Sequence, residues 1–181
     1  MKVLKNIALS AAALALVASC NKSLETTYSK QESNIEGIVK SLTSSNDDAS
    51  VDRIDGVVRV TLEHGEGEPL AKNGYVSFYY AGYYFTSTTL SQSNVFATNY
   101  ETFASSIKWD ISDTTRFEIA TLSLGEDDIV EGLKTGLEGV RAGDECYVLF
   151  SAKHGFGKHK TGTVPSNAAL AYHLWIKGVS N

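Results

Sequence analysis

Lys153, His154, Lys158, His159 and Lys160 make a basic loop around Phe156, and its two imidazoles are the first candidates for metal chemistry. A tetrahedral zinc site needs at least a third protein ligand at suitable spacing, and the surrounding sequence supplies none. The loop therefore reads as a solvated basic rim suited to acidic partners. Nucleophilic chemistry fares no better. Serine, histidine and aspartate are all present, but no G-x-S-x-G elbow occurs. Cys146 alternates with apolar neighbours in the middle of a strand rather than at an exposed electropositive turn, so its thiol is expected to be a small buried hydrophobe. His64-Gly65-Glu66-Gly67-Glu68-Pro69 is glycine-rich but lacks the G-K-[ST] of a phosphate loop. His173 alternates with core residues and is expected to face outward.

The chain has 181 residues, 43% of them hydrophobic and 20% charged, with a formal net charge of -5. This suits one soluble globular domain with an appendage. The charge leaves no basic footprint for nucleic acid. Residues 1–19 read as a signal peptide: Lys2 and Lys5 precede an apolar run from Ile7 to Val17, and Ala18-Ser19 precede Cys20. That run is short of the about 20 apolar residues a permanent span requires. L-V-A-S-C matches a bacterial lipobox, which predicts lipidation of Cys20 and anchoring to a membrane of the cell envelope; a plain secretory signal is the alternative. Each buried acyl CH₂ contributes about 0.8 kcal/mol. With Cys20 lipidated, Cys146 has no disulfide partner.

The elements that must position any site follow from periodicity. Residues 20–50 read as a lipidated tether, polar to about Tyr28, and a short helix. Ser29 and Glu32 form a capping box, and Ile35, Ile38, Val39 and Leu42 predict a helix from about Lys30 to Thr43. Residues 51–181 read as the folded domain. Val58, Val60 and Leu62 alternate with Arg59, Thr61 and Glu63, predicting a half-buried strand. Tyr75–Tyr80 is a second strand, with Val76, Phe78 and Tyr80 on one face. Residues 83–116 form a long polar excursion carrying Phe96, Phe103, Ile107 and Trp109. A strand is expected over 117–124, another through Cys146, Val148 and Phe150, and a last one over 168–179 with Leu170, Tyr172, Leu174 and Ile176 on one face. Between them, Ile129, Leu133 and Leu137 recur at four-residue steps after the acidic run Glu126-Asp127-Asp128. So short a helix needs a partner surface. The fold class is α+β: an antiparallel, twisted sheet wrapped around one short helix, with an N-terminal helical extension.

The pattern L-G-x-x-x-I-V-x-G-L-x-x-G-L-x-G-V-x-x-G-D over Leu124–Asp144 resembles the helix segment of the FKBP-type peptidyl-prolyl isomerases. So do Y-Y-A-G at Tyr79–Gly82, V-F at Val95-Phe96, H-G-F-G at His154–Gly157 and G-T-V-P-S-N-A-A-L-A-Y-H-L at Gly162–Leu174. The pieces occur in the family's order over about the last two thirds of the chain. The resemblance implies the same fold, no cofactor or metal, proline-containing polypeptide clients, and a pocket formed by Tyr80, Phe96, Ile129, Val130, Leu133, Phe156, Val164 and Tyr172. It also implies that the Val130 backbone N–H donates to a substrate carbonyl. Such an enzyme makes no bond. The rotation barrier of about 18–20 kcal/mol comes from amide resonance, and a twisted amide is less polar than a planar one, so an apolar aromatic pocket favours it.

Departures from the family pattern bear on activity. Ala97 stands where the family's pocket aspartate is usual, Phe156 where a tyrosine is usual and Leu133 where a tryptophan is usual. An aromatic is lacking near Ala120 unless Phe117 is displaced into its place. Two functions are compatible with this: a lipid-anchored isomerase assisting folding outside the cytoplasm, or a non-catalytic polypeptide-binding module. An acid from the excursion, such as Asp110 or Asp113, reaching the pocket would favour the first.

Overall fold

A chain with so many alternating apolar strands needs cover on both sides of its sheet, and the computed structural model, which describes residues 23–181, shows how it is supplied. The leader and Cys20 lie outside the described residues. Helix α1 (Lys2–Ser44) leads into β1 (Ser50–Ile54), β2 (Val57–Glu63) and β3 (Tyr75–Phe85). Then come β4 (Val95–Thr98), α2 (Glu101–Ser106), β5 (Ala120–Ser123), α3 (Glu131–Leu137), β6 (Glu145–Phe150) and β7 (Ala169–Ser180). The strands form one antiparallel sheet in the order β1-β2-β6-β7-β3-β4, and β5 pairs with a further stretch of β3. This is the expected α+β architecture. By packing, residues 31–181 form one compact unit. Among the described residues, no helix is long and apolar enough to cross a membrane.

α3 lies on the inner face, and glycine lets it lie close. A Cβ on Gly132 would meet the ring of Phe150 at 2.5 Å, and one on Gly136 would overlap Val148. Leu133 and Leu137 then bury against Val148, Phe150, Tyr172 and Leu174. Cys146 is fully buried in the same layer, which pushes its thiol pKa up to about 12. The acidic run does not begin the helix. Ser123 N–H donates to Asp127 Oδ2 at 2.7 Å in a turn, and the helix opens only at Glu131.

Three expectations are corrected on the outer side. The helix is already formed at residues 23–28, so Ser29 and Glu32 lie inside it and do not cap its start. β2 is buried on both faces, not half-buried. Val58 and Val60 pack with Ile35, Ile38 and Val39 of α1, while Arg59 turns towards α3. There its guanidinium donates to Gly136 O at 3.1 Å and Glu138 O at 2.6 Å, occupying carbonyls that a helix end leaves without partners, and pairs with Asp52 at 2.7 Å. His173 is only 9% exposed. Its ring stacks on Tyr147 with centroids 4.1 Å apart and lies tilted against Trp175 at 3.8 Å, because α1 and the excursion cover the face that alternation alone left to solvent. The excursion is ordered: it continues β3 to Phe85, adds β4 at the edge, and folds α2 so that Phe103, Ile107 and Trp109 pack on the outer cluster.

Candidate functional site

A cavity of about 320 Å³ opens at the N-terminal end of α3. β3 contributes Phe78 and Tyr80, which share the inner face by strand alternation, and β4 contributes Phe96 and Ala97. Ala120 and Leu122 come from β5, Ile129, Val130 and Leu133 from the entrance of α3, Phe156 from the loop after β6, and Tyr172 from β7. No lining side chain is an acid or a base.

The aromatic wall is set by neighbouring rings. Tyr172 meets Phe96 edge-on, with centroids 5.9 Å apart and planes at 90°, and lies 6.2 Å from Tyr80. Phe150 backs Tyr172 from the core at 6.0 Å. Phe96 can lie there because Gly82, opposite Tyr172 in the β3–β7 ladder, has no side chain; a Cβ would meet Phe96 Cζ at 2.6 Å. Tyr80 is fixed through its backbone. Asn99, only 5% exposed, accepts from Tyr80 N–H at 2.6 Å and donates to Phe78 O and Glu118 O at 3.3 and 3.0 Å. It thus bridges the place where β3 changes partners between β4 and β5. Val130 is the N-cap of α3, a position whose N–H has no intrahelical acceptor.

Burial raises the pKa of both wall tyrosines. For Tyr80, the positive charge of Arg116 partly offsets burial, and Tyr172 is shifted further upward. Both hydroxyls therefore stay protonated and can donate. Arg116 lies 5.5 Å from the Trp109 ring and 5.8 Å from that of Phe117, in a short 3₁₀ turn at Thr114–Phe117. Phe117 does not fill the gap at Ala120. Asp110 accepts from Ser112 N–H, and Asp113 accepts from Thr115 N–H and Oγ1–H, so both acids serve local turns and neither lines the cavity. Among the described residues, no group of three metal-ligating side chains comes together; His154 Nδ1 instead lies 3.7 Å from Glu131 Oε1.

Tyr80, Phe96, Ile129, Val130, Leu133, Phe156 and Tyr172 are brought together as lining residues. Val164 is not: it is 1% exposed in the core, and its backbone pairs with Thr161. The sequence reading missed Phe78, Leu122 and Asn99. Phe78 was recoverable, since it alternates with Tyr80. Asn99 carried no local signal, because all its partners are distant in sequence.

Residues 67–177 match the model of the FKBP-type peptidyl-prolyl cis-trans isomerases, 111 positions of a 181-residue chain. The chain belongs to that family. No curated protein matches its sequence significantly. Solved structures with a similar fold include FkpA from Escherichia coli, 19% identical with a TM-score of 0.57, covering 95% of this chain and 70% of that one. Another is a peptidyl-prolyl cis-trans isomerase from Pseudomonas syringae, 15% identical with a TM-score of 0.52, covering 83% and 96%. The N-terminal domain of FKBP42 from Arabidopsis thaliana is 17% identical with a TM-score of 0.55, covering 74% and 94%. At these identities the likeness is one of fold. The FKBP-type domain and its cavity thus rest on the family match together with the chain's own geometry.

Proposed function

We propose that this protein is a peptidyl-prolyl cis-trans isomerase, anchored by lipid on Cys20 in the bacterial cell envelope, that acts on proline-containing polypeptides outside the cytoplasm. The observation that carries the catalytic reading is the aromatic, charge-free cavity at the N-cap of α3. A prolyl ring enters between Tyr80, Phe96 and Tyr172, with Ile129 and Leu133 beneath it. The Val130 N–H holds a substrate carbonyl. Water is excluded from the X-Pro amide, and the twisted, less polar amide is favoured over the planar one. With Ala97 and Phe156 the pocket lacks two polar anchors, each typically about 0.5–1.5 kcal/mol net. That loss weakens orientation more than apolar binding.

A protease-free isomerisation assay on a panel of X-Pro peptides tests the reading. The wild type should accelerate isomerisation, Phe96→Ala should slow it, and Ala97→Asp with Phe156→Tyr should raise turnover. The absence of any acid in the lining favours a second reading, a polypeptide-binding module, which peptide binding without acceleration in either protein would establish. For the anchor, Cys20→Ser should abolish lipid labelling and membrane retention; equal retention would refute it.

A further inference from the structure

We propose that Gln31 is a positioning residue for the cavity: from α1, it holds shut the loop that carries Phe156. Gln31 is 9% exposed, and its one amide spans the two ends of that loop. Its Oε1 accepts from Ala152 N–H at 2.9 Å, and its Nε2–H donates to Asn167 O at 2.7 Å. The circuit closes through the loop itself. Asn167 N–H donates to Gly157 O at 2.6 Å, and Gly157 N–H donates to Ala152 O at 3.2 Å. Phe156, a wall of the cavity, is the residue immediately before Gly157. Gly157 and Asn167 both sit at positive φ, +56° and +54°, a region that glycine enters without steric cost and that asparagine tolerates better than most side chains.

A side chain with a donor and an acceptor on one carbon closes such a circuit, and at neutral pH that favours an amide, because a carboxyl has the donor only when protonated. Its placement is rigid. Ile35, Ile38 and Val39, on the following turns of α1, are buried in the outer cluster, and Asn34 Nδ2–H donates to Thr86 O at 3.1 Å. Gln31 lies outside the 67–177 stretch that matches the family, so α1 contributes a part of the site that the family match does not reach. The inference rests on the reading of this cavity as the proline-binding site.

The test uses the full chain with Gln31→Met, which keeps the volume and removes both hydrogen bonds, and Gln31→Glu, which keeps the acceptor and donates to Asn167 O only when protonated. Amide exchange resolved by residue and proline-peptide affinity are read well below the melting temperature. In Gln31→Met, exchange at Gly155, Phe156, Gly157 and Asn167 should rise about tenfold relative to β6 and β7, with affinity falling about five- to tenfold. In Gln31→Glu, affinity should be low at neutral pH and recover on acidification, each point divided by wild type at the same pH to cancel the titration of His154, His159 and Glu131. A lowered melting temperature with unchanged loop exchange, or faster loop exchange with unchanged affinity, overturns the proposal. If Gln31→Met does not fold, Gln31→Glu decides, and no recovery on acidification counts against it. A wild type that binds no proline peptide defeats the reading of the cavity instead, and loop exchange alone then decides whether Gln31 holds the loop.

Discussion

Gly82→Ala isolates the placement of Phe96 from its presence. The added methyl would stand 2.6 Å from Phe96 Cζ and 3.0 and 3.1 Å from Cε2 and Cε1. Carbon atoms at rest lie about 3.5–4.0 Å apart, so the far end of the ring must retreat by roughly 1 Å. It can do so, being the tip of a half-buried side chain at the cavity. The β3–β7 ladder at Gly82 and Tyr172 stays intact, and alanine in place of glycine favours the strand by roughly 0.5–1 kcal/mol. What goes is the edge-on contact with Tyr172, worth about 0.5–1.5 kcal/mol, and part of the contact with a bound prolyl ring. A total near 1.4 kcal/mol corresponds to about a tenfold loss of isomerisation or peptide affinity. The melting temperature should hold. The deciding measurement is the cycle with Phe96→Ala: once the ring is gone, Gly82→Ala should cost nothing further. Full activity in Gly82→Ala, or an undiminished effect on the Phe96→Ala background, would refute the reasoning.

Three other outcomes are expected. Gly132→Ala should lower the melting temperature, by overpacking of about 1–3 kcal/mol, because its methyl meets the fully buried Phe150 ring and nothing there can retreat. Cys146, buried with its thiol pKa near 12, should resist thiol reagents until denaturant is added, and Cys146→Ala should leave activity nearly intact; rapid native labelling would contradict this. Acid should destabilise the fold in two stages. Burial holds the His173 pKa below its ordinary 6.5, against the opposing pull of Glu145, and the hydrogen bond with His173 holds Glu145 below its ordinary 4.5. Both groups are thus proton-free more readily in the fold than in the unfolded chain, so their stabilisation is complete above 6.5 and is lost on descent through that value and then through 4.5. Thermal melts in that range should show the loss, His173→Gln should flatten its upper part, and a melting temperature constant from about pH 7.5 to 5.5 would count against it.

The inner face was legible because alternation needs no knowledge of partners: Val76, Phe78 and Tyr80, or Leu170, Tyr172 and Leu174, name their own side. The outer face was not. There His173 occupies a position that alternation assigns to water and is buried only because α1 and the excursion cover it; on the inner face Arg59, likewise assigned to water, is buried under the end of α3. Ser29 and Glu32 have the composition of a cap, yet a helix that is already propagating has no use for one. In the cavity, family motifs placed the aromatic wall, but Val164 went astray. Its loop pairs Thr161 with Val164 and turns that side chain into the core. Asn99 and Gln31 act through contacts with residues 19 or more positions away, which no local pattern encodes.

The strand order also constrains how the domain comes into being. β7 follows every other strand in the sequence, yet it lies between β6 and β3 at the centre of the sheet. While the chain emerges from the ribosome, β3 has partners along one edge only, in β4 and β5, and β6 likewise has only β2 until Ala169–Ser180 has appeared. Such long-range closure makes folding slow and nearly all-or-none. The nascent polypeptide therefore stays open and extensible through most of its synthesis, and the cavity comes into existence only with the last strand.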